Sequence, residues 1–138
     1  MRQHQCTLNI QTPGQSLTDI SRPVAAVVQE AGIQTGLCTV FLRHTSASLL
    51  IQENADPDVL KDLQQFLSRL VPEGAHYLHG AEGPDDMPAH IRTALTQTSE
   101  TIPIAQGRLA LGTWQGLYVW EHRQRSHSRE LVVHVLGD

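Results

Sequence analysis

Four strand-like runs follow one another in the last third of the sequence, and no helical pattern separates them. They are TIPI, RLALGTW, GLYVWEH and ELVVHVLG, all within residues 101–137, and glycine-containing turns divide them. A doubly wound parallel sheet would need a helix between successive strands. The sequence therefore predicts a mixed α+β fold with mostly antiparallel sheets and with helices on one side.

Earlier segments predict three further strands and a short helix. Residues 6–10, CTLNI, alternate apolar and polar side chains as a half-buried strand does. The segment SRPVAAVVQEAG predicts a helix with Ser21 as its N-cap and Gly32 as its stop. Two strands are then expected at about 37–44 and 47–53, where strand-favouring residues dominate.

The clearest helical pattern is ADPDVLKDLQQFLSRLVPEG. Asp56 is the expected N-cap, Pro57 suits the first helical position, and Asp58 complements the positive end of the helix dipole. The apolar stripe has the spacing of an amphipathic helix and consists of Val59, Leu60, Leu63, Phe66, Leu67 and Leu70. A second, shorter helix is expected to begin near Pro88, so the chain carries two or three helices in all.

Composition restricts the class of protein. A length of 138 residues favours one domain over residues 1–138, and 40% hydrophobic residues is ordinary for a globular chain. The net charge of −4 argues against non-specific nucleic-acid binding. No stretch resembles a signal peptide or a membrane helix, and Cys6 and Cys38 suit buried reduced thiols better than a disulfide framework. We therefore expect a soluble cytoplasmic protein with no membrane partner.

Eight histidines are an unusual number for this length, and three of them have contexts that suit metal binding. His44 ends a strand, His79 lies in a loop rich in glycine and proline, and His90 lies near the start of a helix. Neutral imidazoles from three such elements could bind a divalent metal such as zinc, with Asp85 and Asp86 as a further ligand or a support. The alternative is a set of scattered surface and capping histidines.

Hydroxyl groups follow the first of these histidines. Thr45, Ser46 and Ser48 could bind phosphate or position water, or they could be ordinary turn and strand residues. The segment HTSAS lacks the G-x-S-x-G elbow, so it gives little support to a serine hydrolase. Glu53 could act as an acid or base, whereas Asp56 is better explained as a helix cap.

The C-terminal third carries a second polar group of residues. Trp114 and Gln115 lie at a turn, and Glu121 lies at a strand end. Three basic residues follow that would suit a phosphate or diphosphate, or that would belong to a solvated hairpin loop: Arg123, Arg125 and Arg129. No dinucleotide fingerprint or phosphate-binding glycine loop accompanies them.

Several segments together resemble the YjbQ family, also called the secondary thiamine-phosphate synthase family. They are FLRHTSASLLIQENADPDVLKDL, EGPDDMPAHIRTAL, TIPIAQGRLALGTWQGLYVWEHR and RELVVHVLG, and they span nearly the whole chain in the family's order. The resemblance implies a compact α+β fold with sheets in a sandwich-like arrangement, assembled as a homotrimer.

The resemblance also implies a set of site residues. Positions matching His44, His79 and His90 are where a metal ion such as zinc could lie, and the Trp114–Gln115 turn and Glu121 belong to the pattern. The chain reads EHRQRSHSR from Glu121 where the family more commonly has E-x-D-G-P-R. Of the arginines, Arg129 therefore matches the family's basic run best, and Arg123 and Arg125 match it less securely.

The activity implied by the family name joins a pyrimidine diphosphate to a thiazole phosphate and releases pyrophosphate. On this hypothesis, the metal-bearing site lies at a subunit boundary, Ser46 and Ser48 line it, and Glu121 or Asp86 orients a ligand or moves a proton. Anion binding is assigned to Thr45, Gln115, Arg123, Arg125 and Arg129. The alternatives are a metal-dependent hydrolase of a small phosphorylated compound and a non-catalytic trimer that binds a small anion.

Overall fold

The computed structural model describes residues 1–74 and 76–138, and it contains eight strands and three helices in these two segments. The strands are β1 (Arg2–Thr12), β2 (Ser16–Asp19), β3 (Gly36–Leu42), β4 (Ala47–Glu53), β5 (Ser99–Ala105), β6 (Arg108–Leu109), β7 (Gln115–Glu121) and β8 (His127–Gly137). The helices are α1 (Ser21–Ala31), α2 (Pro57–Leu70) and α3 (Asp86–Leu95).

The strands form two antiparallel sheets. The larger sheet has the order β1-β8-β3-β5-β6, and the smaller has the order β2-β7-β4. Every strand pair in both sheets is antiparallel. The prediction of an α+β fold with mostly antiparallel sheets is therefore confirmed.

The inner faces of the two sheets share one hydrophobic core. Val40 of β3 and Val133 of β8 pack in the same buried cluster as Leu49 of β4 and Val119 of β7, and α1 adds Val24. Alternate side chains of each strand point into this cluster because successive residues of a strand face opposite sides of the sheet. The sheets therefore form a sandwich, as the family resemblance implies.

Helices α2 and α3 cover the other face of the smaller sheet. Trp120 of β7 packs there with Leu67 of α2 and with Val71, and Leu50 and Ile91 border the same cluster. The smaller sheet is thus a middle layer with the sandwich core on one side and the helices on the other. This arrangement places the start of α3 beside the end of β7.

The local predictions agree with the structure in most places. Asp56 caps α2, and its Oδ1 accepts a hydrogen bond from the Asp58 N–H at 2.9 Å. The prediction of Ser21 as a cap is wrong, because Ser21 is already helical and its N–H donates to Asp19 Oδ1 at 2.8 Å. Strand β2 has no counterpart among the predicted elements, and α3 begins at Asp86, two residues before Pro88.

No helix within the described segments is long and apolar enough to span a membrane.

Candidate metal centre

Two histidines and one aspartate meet at the start of α3. One ligand atom from each of His79, Asp86 and His90 lies within 4.8 Å of the other two. Asp86 Oδ2 is 2.5 Å from His79 Nε2 and 3.2 Å from His90 Nε2. The two imidazole rings lie edge to face with their centroids 5.4 Å apart. The structure therefore brings together two of the three histidines proposed as metal ligands, with a carboxylate between them.

Helix α3 positions two of these ligands. Asp86 is its first residue and His90 lies four residues later, so both side chains project from the same helix face. His79 comes from the segment that precedes the helix. The predicted helix start near Pro88 excludes Asp86 from the helix and so hides this spacing, although the Asp-x-x-x-His pattern is present in the sequence.

A backbone carbonyl fixes the protonation of His90. Its Nδ1 is 2.8 Å from the Thr45 oxygen, and since a carbonyl only accepts, Nδ1 carries the proton. In a neutral ring, Nε2 is then an unprotonated acceptor, and it faces an oxygen of Asp86. Two acceptors this close need a positive charge between them, either a second proton on His90 or a metal cation. Histidine ligands are commonly oriented by such a hydrogen bond.

Arg123 supports the aspartates from the side opposite the histidines. Its Nε donates to Asp85 Oδ2 at 3.0 Å, its Nη1 donates to Asp86 Oδ1 at 2.8 Å, and its Nη2 donates to the Glu82 carbonyl at 3.1 Å. Arg123 was predicted to bind an anion. In the structure its guanidinium is instead occupied by protein oxygens.

The charge on Asp86 is well supported. Burial raises the pKa of this carboxyl, but the hydrogen bond from His79 and the positive charge of Arg123 lower it further, so the pKa lies below the ordinary value. Asp85 behaves in the same way, because the Gln124 backbone N–H and Arg123 donate to it. Both carboxylates are therefore ionised at neutral pH.

His44 lies outside the cluster formed by His79, Asp86 and His90. Its Nε2 accepts the Glu130 backbone N–H at 2.7 Å, and its Nδ1 is 3.4 Å from Nη1 of Arg129. Burial and the charge of Arg129 lower the pKa of this imidazole. The predicted grouping of three histidines therefore differs from the grouping in the structure, where Asp86 stands with His79 and His90 and the ring of His44 contacts β8 instead.

Glu121 and Arg129 form a buried ion pair. Glu121 is fully buried, and the Arg129 Nε donates to its Oε1 at 2.7 Å. The Thr12 hydroxyl at 2.6 Å and the Arg123 backbone N–H at 3.0 Å also donate to this carboxylate. Burial raises the pKa of Glu121, but these donors lower it below the ordinary value. The residues proposed for proton transfer and anion binding are here bound to each other in the interior.

Ser46 and Ser48 also lie in the interior. The Ser46 hydroxyl accepts from Nη2 of Arg129 at 3.0 Å. Ser48 is fully buried, and its Oγ lies 2.9 Å from Nε2 of His122. The alternation of β4 turns Ser48 to the same side as Leu50, toward the helices. No sequence pattern had indicated a role for His122.

The other predicted anion ligands lie apart. Gln115 is exposed at the start of β7 and accepts the Gly112 N–H at 2.7 Å. Six residues of extended chain separate it from Glu121, which is roughly 20 Å at 3.3 Å per residue. Arg125 is exposed, and its carbonyl accepts a hydrogen bond from Nδ1 of His127 at 2.7 Å. Gln115 therefore cannot share a small-molecule site with the cluster at the other end of β7.

Two surface cavities border the histidines. One has a volume of about 590 Å³ and is lined in part by Phe41, His44, Thr45 and His90. The other has a volume of about 270 Å³ and is lined in part by His79. The cluster of His79, Asp86 and His90 thus lies between two spaces that are large enough for small molecules.

Comparisons with known proteins agree on one family. A family model described as UPF0047 protein YjbQ-like matches residues 6–138. A UPF0047 protein of Synechocystis is 65% identical over 138 residues, covering 99% of this chain and 94% of that protein. The UPF0047 protein YjbQ of Escherichia coli O157:H7 is 42% identical over 106 residues, 77% of each. A crystal structure from Clostridium acetobutylicum, described as an uncharacterized conserved protein of the YjbQ/UPF0047 family, has a TM-score of 0.88 and 36% identity, and covers 95% of this chain and 99% of that one.

Proposed function

This chain belongs to the YjbQ-like UPF0047 family, and we propose that it is a metal-dependent enzyme that acts on a small phosphorylated compound. The proposed metal ligands are His79, Asp86 and His90. The observation that carries the proposal is the convergence of one ligand atom from each of these three residues, all within 4.8 Å of one another.

The donor set fits a divalent metal of the zinc type. Two imidazole nitrogens and one carboxylate are a familiar set of three protein ligands for a catalytic zinc, which keeps a further position open. His79 is about half exposed and His90 about a third exposed, so the open side faces solvent. Asp86 is almost completely buried and is held by Arg123, which suits a rigid ligand.

Residues around the proposed ligands would hold those ligands in position at this site. A bound divalent cation would supply a Lewis acid that stabilises negative charge on a departing phosphate or diphosphate. Thr45 orients His90 through its carbonyl, and Arg123 holds Asp86 with one oxygen turned toward the histidines. The cavities on either side would hold the organic portions of the substrates.

Within this class, we propose a thiamine-phosphate-synthase-type reaction. It would join a pyrimidine diphosphate to a thiazole phosphate and release pyrophosphate. The resemblance to the YjbQ family supports this choice, and so does the position of the cluster between two cavities, which suits a reaction of two substrates. Hydrolysis of a phosphorylated compound is the second candidate, because the exposed edge of His79 leaves water access to the same cluster.

We also propose that the chain assembles as a homotrimer through the outer face of the larger sheet. Leu37 and Phe41 of β3 are each nearly half exposed, and they pair across the sheet with Leu136 and Val132 of β8. Phe41 also lines the cavity that contains His90, so a partner on this face would border the site. Light scattering should give three times the chain mass of 15.3 kDa, and Leu37→Glu should reduce it.

An assay with three substrates tests the proposed activity. The metal-loaded protein is incubated with the pyrimidine diphosphate and the thiazole phosphate together, with each alone, and with a generic phosphomonoester. Pyrophosphate release that needs both partners supports the synthase, whereas phosphate release from the monoester supports the hydrolase. Asp86→Asn should abolish either activity, and Asp58→Asn, on the exposed start of α2, is the matched control. Substrate binding without turnover would overturn the enzymatic proposal.

A further inference from the structure

Arg92 is a buried cation without a counter-ion among the described residues. Only 2% of its surface is exposed, and one Nη2–H donates to the Val71 carbonyl at 2.8 Å. Its Nε and Nη1 have no partner in the described parts of the chain. A guanidinium keeps its charge at every physiological pH, so burial cannot be relieved by loss of a proton. An unpaired buried charge is strongly destabilising.

A second buried polar group without a full set of partners lies beside the same cluster of Trp120 and Val71. His122 is fully buried, its Nε2 contacts Ser48 Oγ at 2.9 Å, and its Nδ1 has no partner among the described residues. Its ring lies 5.3 Å from the ring of Trp120, which packs against Val71, the residue that Arg92 contacts. Burial and the charge of Arg92 lower the pKa of His122 to about 3, so the imidazole is neutral.

The acids nearest to Arg92 are held by other donors. The Glu73 carboxylate accepts from the side-chain amides of Gln15 at 3.1 Å and Gln124 at 2.6 Å. The Asp85 carboxylate accepts from Arg123 and from the Gln124 backbone N–H, both at 3.0 Å. Neither carboxylate forms an ion pair with Arg92. The positive charge of the Arg92 guanidinium is therefore not balanced by an anionic side chain from the described parts of the chain.

A small anion would accept the unused hydrogen bonds of Arg92 and His122 and would balance the charge of Arg92. A water molecule could accept these hydrogen bonds, but it would leave the buried charge uncompensated. If the Ser48 hydroxyl donates to Nε2 of His122, then Nδ1 carries a proton, and it and Arg92 present only N–H donors. Both side chains are almost wholly enclosed, so an anion that contacts them must be small, and a monatomic ion meets that requirement better than a phosphate.

We propose that Arg92 and His122 bind a halide ion, with chloride as the physiological ligand, between β7 and α3. This site is separate from the proposed metal ligands and does not depend on the proposed catalytic function. The bound anion would supply the negative charge that the interior lacks, and the stability of the folded state would rise with the logarithm of the anion concentration once that concentration exceeds the Kd.

Bromide is the probe that tests this site. Crystals of the full chain grown in sodium bromide should show an anomalous peak in contact with the Arg92 guanidinium and Nδ1 of His122. An ordered water at that point with no anomalous peak, or bromide peaks only elsewhere, would overturn the proposal. This measurement needs no variant and so is independent of any folding defect.

Thermal unfolding supplies the second measurement. At constant ionic strength, replacing gluconate by chloride should raise the Tm of the wild type by several degrees. Arg92→Met, which keeps the length of the side chain and removes the charge, should lose this dependence on chloride. Arg69→Met, on the exposed side of α2, is the matched control and should retain it. A wild-type Tm that does not respond to chloride would contradict the site.

Discussion

Arg123 donates from Nη1 to Oδ1 of Asp86 at 2.8 Å, on the carboxylate whose other oxygen faces His79 and His90. One oxygen of Asp86 is therefore committed to the arginine, and the other is directed to the cluster. In the described parts of the chain, the guanidinium donates to Asp85, Asp86 and the Glu82 carbonyl and to no histidine. It is a positioning residue for the proposed metal ligand.

Loss of Arg123 should weaken metal binding without removing a ligand. Arg123→Gln should lower zinc affinity by roughly 10- to 100-fold, as expected for a residue that orients a ligand. Arg123→Lys should restore part of the affinity, since it keeps the charge but loses the forked geometry. Isothermal titration calorimetry gives the affinities, with the exposed Arg125→Gln as the control. Equal affinities for the wild type and Arg123→Gln would show that the arginine has no influence on the site.

The buried pair of Glu121 and Arg129 should contribute strongly to stability. Arg129→Met should lower the free energy of unfolding by about 3–5 kcal/mol, because it leaves the Glu121 charge buried without its partner. The double change Glu121→Leu with Arg129→Met should recover much of that loss. Urea unfolding measures each value, and Arg125→Met should change it by no more than about 0.5 kcal/mol. A single-variant loss below about 1 kcal/mol would contradict the burial of this pair.

Acid should destabilise the protein partly through His122. Its pKa is about 3 in the folded chain, against an ordinary value of 6.5, because burial and Arg92 oppose its charge. A group with a lowered folded pKa contributes its full stability above pH 6.5, and the contribution falls as the pH drops from 6.5 toward 3. The expected loss from this group is roughly 1 kcal/mol per pH unit within that window.

Unfolding at a series of pH values in halide-free buffer checks this expectation. His122→Gln should give a shallower fall in stability between pH 6.5 and pH 4.5 than the wild type. The surface variant His76→Gln is the matched control for loss of a histidine. Parallel curves for the wild type and His122→Gln would mean that this imidazole is not held neutral in the interior.

Loss of the N-cap of α2 should lower stability without changing zinc binding at the proposed metal centre. Asp56→Ala removes the acceptor for the Asp58 N–H and should lower stability by about 1 kcal/mol. Zinc affinity should stay unchanged, since α2 contributes no ligand. Chemical unfolding and calorimetry on the same preparation report the two quantities. Asp62→Ala, exposed within the same helix, should leave both close to the wild-type values.

Local sequence patterns predicted that the helices exist. They predicted less well where α3, the helix that carries two of the proposed ligands, begins. The Asp56–Pro57 start and the apolar stripe of α2 are formed by neighbouring residues, so propensity and periodicity were sufficient. For α3, Pro88 suggested a later start, yet the helix begins at Asp86. That shift of two residues hid the one-turn relationship between Asp86 and His90.

The site itself depends on contacts between residues far apart in the chain. His44 looked like a ligand because it follows a strand, but the neighbouring β8 supplies the Glu130 N–H that occupies its Nε2. Arg123 looked like a free cation in a polar loop, whereas the start of α3 brings two carboxylates to it. Single-sequence patterns cannot show such pairings, because they arise only when the sheets and helices pack.

The location of bound zinc tests the central proposal most directly. Crystals of the metal-free protein soaked in stoichiometric zinc, measured on both sides of the zinc absorption edge, should show one strong anomalous peak bounded by His79, Asp86 and His90. Crystals of Asp86→Asn treated in the same way should lose it. A wild-type structure with no peak at these three residues, or with zinc bound at His44 instead, would contradict the proposed metal centre.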